Sequence, residues 1–175
     1  MADAVSKWGL GETALSLAAR RGHFQTVRLI LHTDFVPAAP DAVETSQLSA
    51  LCAAVNANSV LVFKELLPYI NRERYLEVFT MAAEIDEGET VMADLLVHVE
   101  LNTRFQGSTV GESALVHALI HLRPKNVDFL LKHGVRVKRR VKVLRNEYYR
   151  RVDAYNTIQD LLRQYDVPEV ELTLQ

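Results

Sequence analysis

Apolar residues recur at three- and four-residue spacing in pairs of short segments, and the pairs themselves recur along the chain. The first pair reads GETALSLAARRGHFQTVRLIL, from Gly11 to Leu31, and the last reads GESALVHALIHLRPKNVDFLL, from Gly111 to Leu131. Each predicts a helix, a turn and a second helix that ends in a Leu/Ile cluster. Their openings lie about a hundred residues apart, roughly three times the 33-residue period of a helix–turn–helix repeat, so further units are expected between them. Ser49-Ala50-Leu51-Cys52-Ala53-Ala54 supplies one opening, with Val60, Phe63, Leu66 and Leu67 as its second apolar face. A weaker copy begins near Glu77, pairing Phe79, Met81, Ala82 and Ala83 with Val91, Met92, Leu95 and Leu96 across a longer turn, Ile85-Asp86-Glu87-Gly88-Glu89.

Residues at fixed phase have recognisable physical roles. Thr13, Ser49 and Ser113 stand where a hydroxyl caps the unpaired N–H groups of a helix N-terminus. The Ala18/Ala19, Ala53/Ala54 and Ala82/Ala83 pairs let helices approach closely. Gly22 and Asn58 follow first helices where a left-handed φ is required. Pro124 separates the helices of the last unit, and Gly134 reads as the cap of its outer helix. Residues 32–46, with Pro37 and Pro40, predict an extended loop, whereas 67–73 leaves little room for a hairpin and 98–110 restores one. Beyond Val137, the spacing of Val141, Leu144, Tyr148 and Val152, then of Ile158, Leu161, Leu162 and Tyr165, predicts a divergent terminal helix pair that caps the array.

The segment Thr13-Ala14-Leu15-Ser16-Leu17-Ala18-Ala19-Arg20-Arg21-Gly22-His23 resembles the ankyrin repeat pattern T-P-L-H-x-A-A-x-x-G-H, and Val27, Leu29, Ile30 and Leu31 continue it. The match at 111–137 ends in Leu-Leu-Lys-His-Gly-Val-Arg-Val; the middle units agree in spacing more than in letters. Ala replaces the family's Pro at 14, 50 and 114, and only the first unit has Gly-His in its turn. The resemblance implies an all-α, ankyrin-like solenoid of about four repeats over 1–137, with units near 8–40, 44–71, 72–103 and 108–137. A basic C-terminal helical cap and tail over 138–175 would follow. It also implies hairpin fingers, a concave groove and a protein-binding role as adaptor or inhibitor. Carried over by position, the partner-binding residues would be Trp8, Leu10, Glu12, Arg20 and Arg21 in the first unit, Leu48 and Asn56 in the second, and Thr109, Glu112, Ile120 and His121 in the last. Trp8 could equally cover the open end of the array. The third unit, without consensus turn chemistry at 84–90, is expected to be the least stable junction.

Composition narrows the class further. With 175 residues, 49 % hydrophobic and 24 % charged, the chain is an ordinary globular sequence. No run approaches a membrane span, and the start lacks the pattern of a secretion signal. Cys52 is the single cysteine, so no intrachain disulfide can form, and its alanine neighbours predict burial. A monomeric cytoplasmic or nuclear protein without cofactor or membrane partner is expected. The net charge of −2 conceals a segment of opposite sign: Lys138, Arg139, Arg140, Lys142, Arg145, Arg150 and Arg151 stand against Glu147 alone. That basic helix is read as the outer face of a cap, as a contact for an acidic partner, or as a nucleic-acid contact.

Catalytic chemistry finds little support. Cys52 falls at a packing phase rather than beside a base. The acidic turn Glu84, Asp86, Glu87 and Glu89 lacks the ligand order of a calcium loop. His117 and His121 have the i, i+4 spacing of a zinc pair, but no third ligand is evident, so no metal is expected and the pair reads as one packed and one groove-facing histidine. The chain is therefore expected not to be an enzyme.

Overall fold

The computed structural model describes residues 13–32, 50–105, 107–137, 140–167 and 170–174. Trp8, Leu10, Glu12, Leu48, Ser49, Lys138, Arg139 and the predicted 32–46 loop beyond His32 lie outside the described residues. The chain divides into two compact units between Tyr75 and Leu76.

The first unit contains α1 (Ala14–Arg20), α2 (Phe24–His32), α3 (residues 50–56) and α4 (Val60–Leu66), then two 3-10 turns, Leu67–Tyr69 and Arg72–Arg74. Thr13 caps α1 through a reciprocal pair: its hydroxyl accepts from the Ser16 N–H at 3.1 Å, and the Ser16 hydroxyl accepts from the Thr13 N–H at 3.0 Å. α1 packs on α2, and α2 on α4, with Ala19, Val27, Leu51, Ala54, Val62, Phe63 and Leu66 buried. Full burial of side chains such as Phe63 contributes about 1.5–3 kcal/mol each. Pro68 at the start of the first 3-10 turn and the short 67–74 link leave no hairpin there, as the spacing predicts. Cys52 is only partly buried, because its helix turns that position outward.

The second unit contains α5 (Tyr75–Ala82, its first residue closing the first unit), α6 (Glu89–Leu95), β1 (Arg104–Phe105), β2 (Ser108–Thr109), α7 (Val110–Ile120), α8 (Pro124–Lys132), β3 (Arg140–Val143), α9 (Arg145–Arg150), α10 (Val152–Gln164) and β4 (Glu171–Leu174). β1 and β2 form the expected antiparallel finger before Gly111. α7 begins one turn earlier than its repeat phase suggests. Its cap is therefore Thr109, which exchanges bonds with Glu112, and Ser113 lies inside the helix bonded to Ser108 at 2.7 Å. α8 packs against α6, α7 and α10 around Met92, Leu115, Leu119, Leu130, Leu131 and Ile158.

One cap closes five helices. After α1, α3, α7, α8 and α10 a residue with positive φ (Gly22, Asn58, Leu122, Gly134 and Asp166) donates back three residues, and its successor donates back five. This is the Schellman geometry, which satisfies carbonyls left unpaired at a helix end.

The C-terminal segment corrects the expected terminal helix pair. Residues 140–143 form a strand rather than the start of a helix, pairing in parallel with β4 in the register Val141↔Leu172 and Val143↔Leu174. Val141 and Val143 are buried while Arg140 and Lys142 face solvent, the period of two that a half-buried strand requires. The helices α9 and α10 supply the crossover that parallel strands need. Among the described residues the fold is mostly helical, with two two-stranded sheets.

Candidate functional site

Three of the four helices that open a predicted unit, α1, α3 and α7, each expose one comparable stripe. On α1 it is Ala14, Leu17 and Arg20, continued by Arg21; on α3 it is Cys52, Ala53 and Asn56; on α7 it is Glu112, Ser113, His117 and Ile120, continued by His121. The other faces of these helices are buried, so the stripe is what remains for solvent or a partner. Leu17 is 42 % exposed, an apolar residue that its own unit does not cover.

The predicted contact residues divide on inspection. Arg20, Arg21 and Asn56 are exposed; Ile120 and His121 are half-buried on or beside the α7 stripe. Thr109 and Glu112 bond to one another's main chain and close the α7 N-terminus, so their first task is structural. Both also line an open cleft of about 570 Å³ with Leu96, Val99, His133 and Arg136.

The α7 stripe faces the α5–α6 turn. Glu84 in that turn meets both histidines: its Oε1 lies 2.6 Å from His117 Nδ1 and its Oε2 lies 3.8 Å from His121 Nε2. Neither histidine is packed in the core, contrary to expectation, and the carboxylate that seemed to be missing comes from about one repeat period upstream. The turn itself is built by the following repeat unit. The buried Asn126 amide donates to the carbonyls of Ala82, Ala83 and Ile85 and accepts from the Glu89 N–H. Arg123 Nε donates to the Glu84 carbonyl at 2.5 Å. Gly88 is required by close approach, since a Cβ there would overlap the Ala82 carbonyl oxygen. A turn held from so many directions does not match the expected weakest junction.

Outside this turn lies an ion-pair cluster. Asp86 accepts from Arg123 Nη1 at 2.7 Å and from both terminal nitrogens of Arg151 at 3.0 and 3.1 Å. The Arg151 hydrogen bond, with Arg123 adding to it against some desolvation, holds the Asp86 carboxyl below the usual carboxylate value. The same bond raises Arg151 further. Lys125 bonds Glu87 at 2.9 Å beside it.

Arg151 is thereby removed from the predicted basic patch, and Arg150 has Glu147 at 3.9 Å. Arg140, Lys142 and Arg145 are exposed, the first two on a strand and the third at the start of α9, instead of on one continuous helix. Tyr149 is 74 % exposed on the helix that follows.

Among known families, the ankyrin repeat model matches residues 10–43. No curated protein and no solved structure matches the chain. Among the described residues, no helix is long and apolar enough to cross a membrane.

Proposed function

We propose that this chain, whose residues 10–43 match the ankyrin repeat model, is a non-catalytic protein-binding module, an adaptor or inhibitor whose partner docks on the open stripes of its repeat-opening helices. Ankyrin repeats generally mediate protein–protein interaction, and the family is typically non-catalytic. The observation that carries the reading is the recurrence of one open stripe at the same phase on α1, α3 and α7, mixed in chemistry: Leu17 and Ile120 are apolar, Arg20, Arg21 and Asn56 polar. Such a mixture suits an interface with apolar anchors and a polar rim, typically roughly 1,200–2,000 Å² in total. Arginine is enriched among the residues that dominate binding energy.

The test is affinity capture from a native lysate with the full chain, comparing wild type with the double variant Arg20→Ala/Arg21→Ala and with Leu17→Asp. A discrete protein retained by wild type and lost from both variants, at unchanged helicity, supports the reading. Capture unaffected by either variant overturns it.

A second reading rests on the exposed cations of β3 and of the first turn of α9. Arg140 and Lys142 share one strand face and Arg145 follows, an arrangement suited to a nucleic-acid backbone or an acidic partner. With Arg151 bonded to Asp86, this reading has fewer cations than the sequence offers. Binding of RNA or DNA that falls steeply with salt and is lost in Lys142→Ala/Arg145→Ala would favour it; flat salt dependence would dismiss it.

A further inference from the structure

We propose that Glu84, His117 and His121 form a binding site for a divalent transition cation of the zinc type. The candidate ligand atoms, one from each side chain, all lie within 4.8 Å of one another. Bonds of about 2.0–2.2 Å in tetrahedral geometry set ligand atoms roughly 3.4 Å apart. The 2.6 Å and 3.8 Å contacts involve different Glu84 oxygens; with one atom from each side chain and all within 4.8 Å, each separation must change by no more than about 1.4 Å. Rotation of half-exposed side chains supplies movements of that size, and the same exposure gives an ion its path in.

The backbone beneath is fixed on both sides. His117 and His121 are one turn apart at the end of α7, which buries Ala114, Leu115, Ala118 and Leu119. Glu84 stands on the turn whose carbonyls at 82, 83 and 85 accept from Asn126, and its own carbonyl accepts from Arg123. The site therefore arises from the contact between two successive repeats rather than from either alone. Two imidazoles and one carboxylate select zinc, copper or nickel over calcium and magnesium, which prefer oxygen alone. Three protein ligands leave the fourth position to water. The histidines ligate in their neutral form, each through one ring nitrogen. The inference does not depend on the protein-binding reading. A contrasting pair, His32 with Glu65 at 3.4 Å, has no second histidine and serves as a control.

The experiment is a Zn²⁺ titration by calorimetry of the full chain stripped with chelator, repeated for Glu84→Gln, His117→Gln, His121→Gln and His32→Gln, each checked for unchanged helicity. Wild type and His32→Gln are expected to bind one equivalent. His117→Gln and His121→Gln should each lose more than the roughly 10–100-fold that removal of an outer-shell partner costs. Co²⁺ added to wild type should give the visible bands of a nitrogen–oxygen site without thiolate charge transfer. No uptake by wild type overturns the proposal, as does uptake unaltered by the two histidine variants. A thiolate band, placing the ion on Cys52, also overturns it. These outcomes read the metal directly and leave the partner-capture result standing or falling separately.

Discussion

Asn126 is buried, and all the bonds of its amide go to one turn more than thirty-five residues away. Replacing it by alanine strands the carbonyls of Ala82, Ala83 and Ile85 and the N–H of Glu89. With about 1–3 kcal/mol at stake for each unsatisfied buried group and partial rehydration at the turn's surface, a net loss of about 3 kcal/mol is expected by urea denaturation. A loss under about 1 kcal/mol would mean that water replaces the amide. Asp86 acts on the same turn through charge. Its carboxyl is depressed in the folded protein, so its contribution is present above the unfolded value of about 3.9 and disappears as the pH falls through the folded one. The side chain is 65 % exposed, which limits that contribution to under about 1 kcal/mol. Asp86→Asn should therefore be less stable than wild type at neutral pH by no more than this, and the difference should vanish in strong acid and in high salt. Sequence could announce some of these residues and not others. Gly22 and Asn58 reveal their left-handed turns because few residue types tolerate that conformation. Asp166 belongs to the types that tolerate it but stands in no recognisable repeat phase, and Leu122 adopts it with nothing in its side chain to signal it. Glu84 escaped notice as a neighbour of His117 because the pairing is spatial, though residues one repeat period apart are natural candidates in any repeat array.

At the scale of elements, the helix N-termini offer a direct comparison. Thr13 and Thr109 each make a reciprocal capping pair, so Thr13→Ala and Thr109→Ala should each cost about 1 kcal/mol in thermal or urea melts. The Thr109-Val110-Gly111-Glu112 string carries the capping-box signature, whereas alignment to the neighbouring repeat favours Ser113. Local hydrogen-bond chemistry outranks repeat phase at that helix start, and Ser113→Ala is expected to cost less than Thr109→Ala. The same competition explains the misread strand. Val141, Leu144, Tyr148 and Val152 have helical spacing, but Leu144 and Val152 are 49 % and 37 % exposed, so the apparent stripe has nothing to cover. The alternation in Arg-Val-Lys-Val was the competing signal, matched by Glu-Leu-Thr-Leu at 171–174. Replacing Val143 with Asp should detach the β3–β4 pair and lower stability by at least 2 kcal/mol, on the order of the cost of burying a charge without a partner. Retained protection of the β3 amides in that variant would contradict the assignment.

For the molecule as a whole, the helix–turn–helix segments were legible from the spacing of apolar residues, because they share a helical period and α1, α3 and α7 end in nearly the same cap. The C-terminal αβ crossover was not, since its two strands lie about thirty residues apart and neither forms without the other. Of the positions selected by family phase, Arg20, Arg21 and Asn56 are exposed, Ile120 and His121 are half-buried, and Thr109 and Glu112 serve a helix cap. The Asn126 amide also has a kinetic consequence. The 83–88 turn lacks the local Schellman bonds of its counterparts and completes its hydrogen bonding only once α8 has formed. One repeat is thus finished by the next, which gives the second unit an order of assembly: α7–α8 first as a local nucleus, the preceding turn afterwards. Contacts of such separation add loop-closure entropy to a late step. Asn126→Ala should then speed unfolding far more than it slows folding, and equal changes in both arms of the chevron would place the turn inside the nucleus instead.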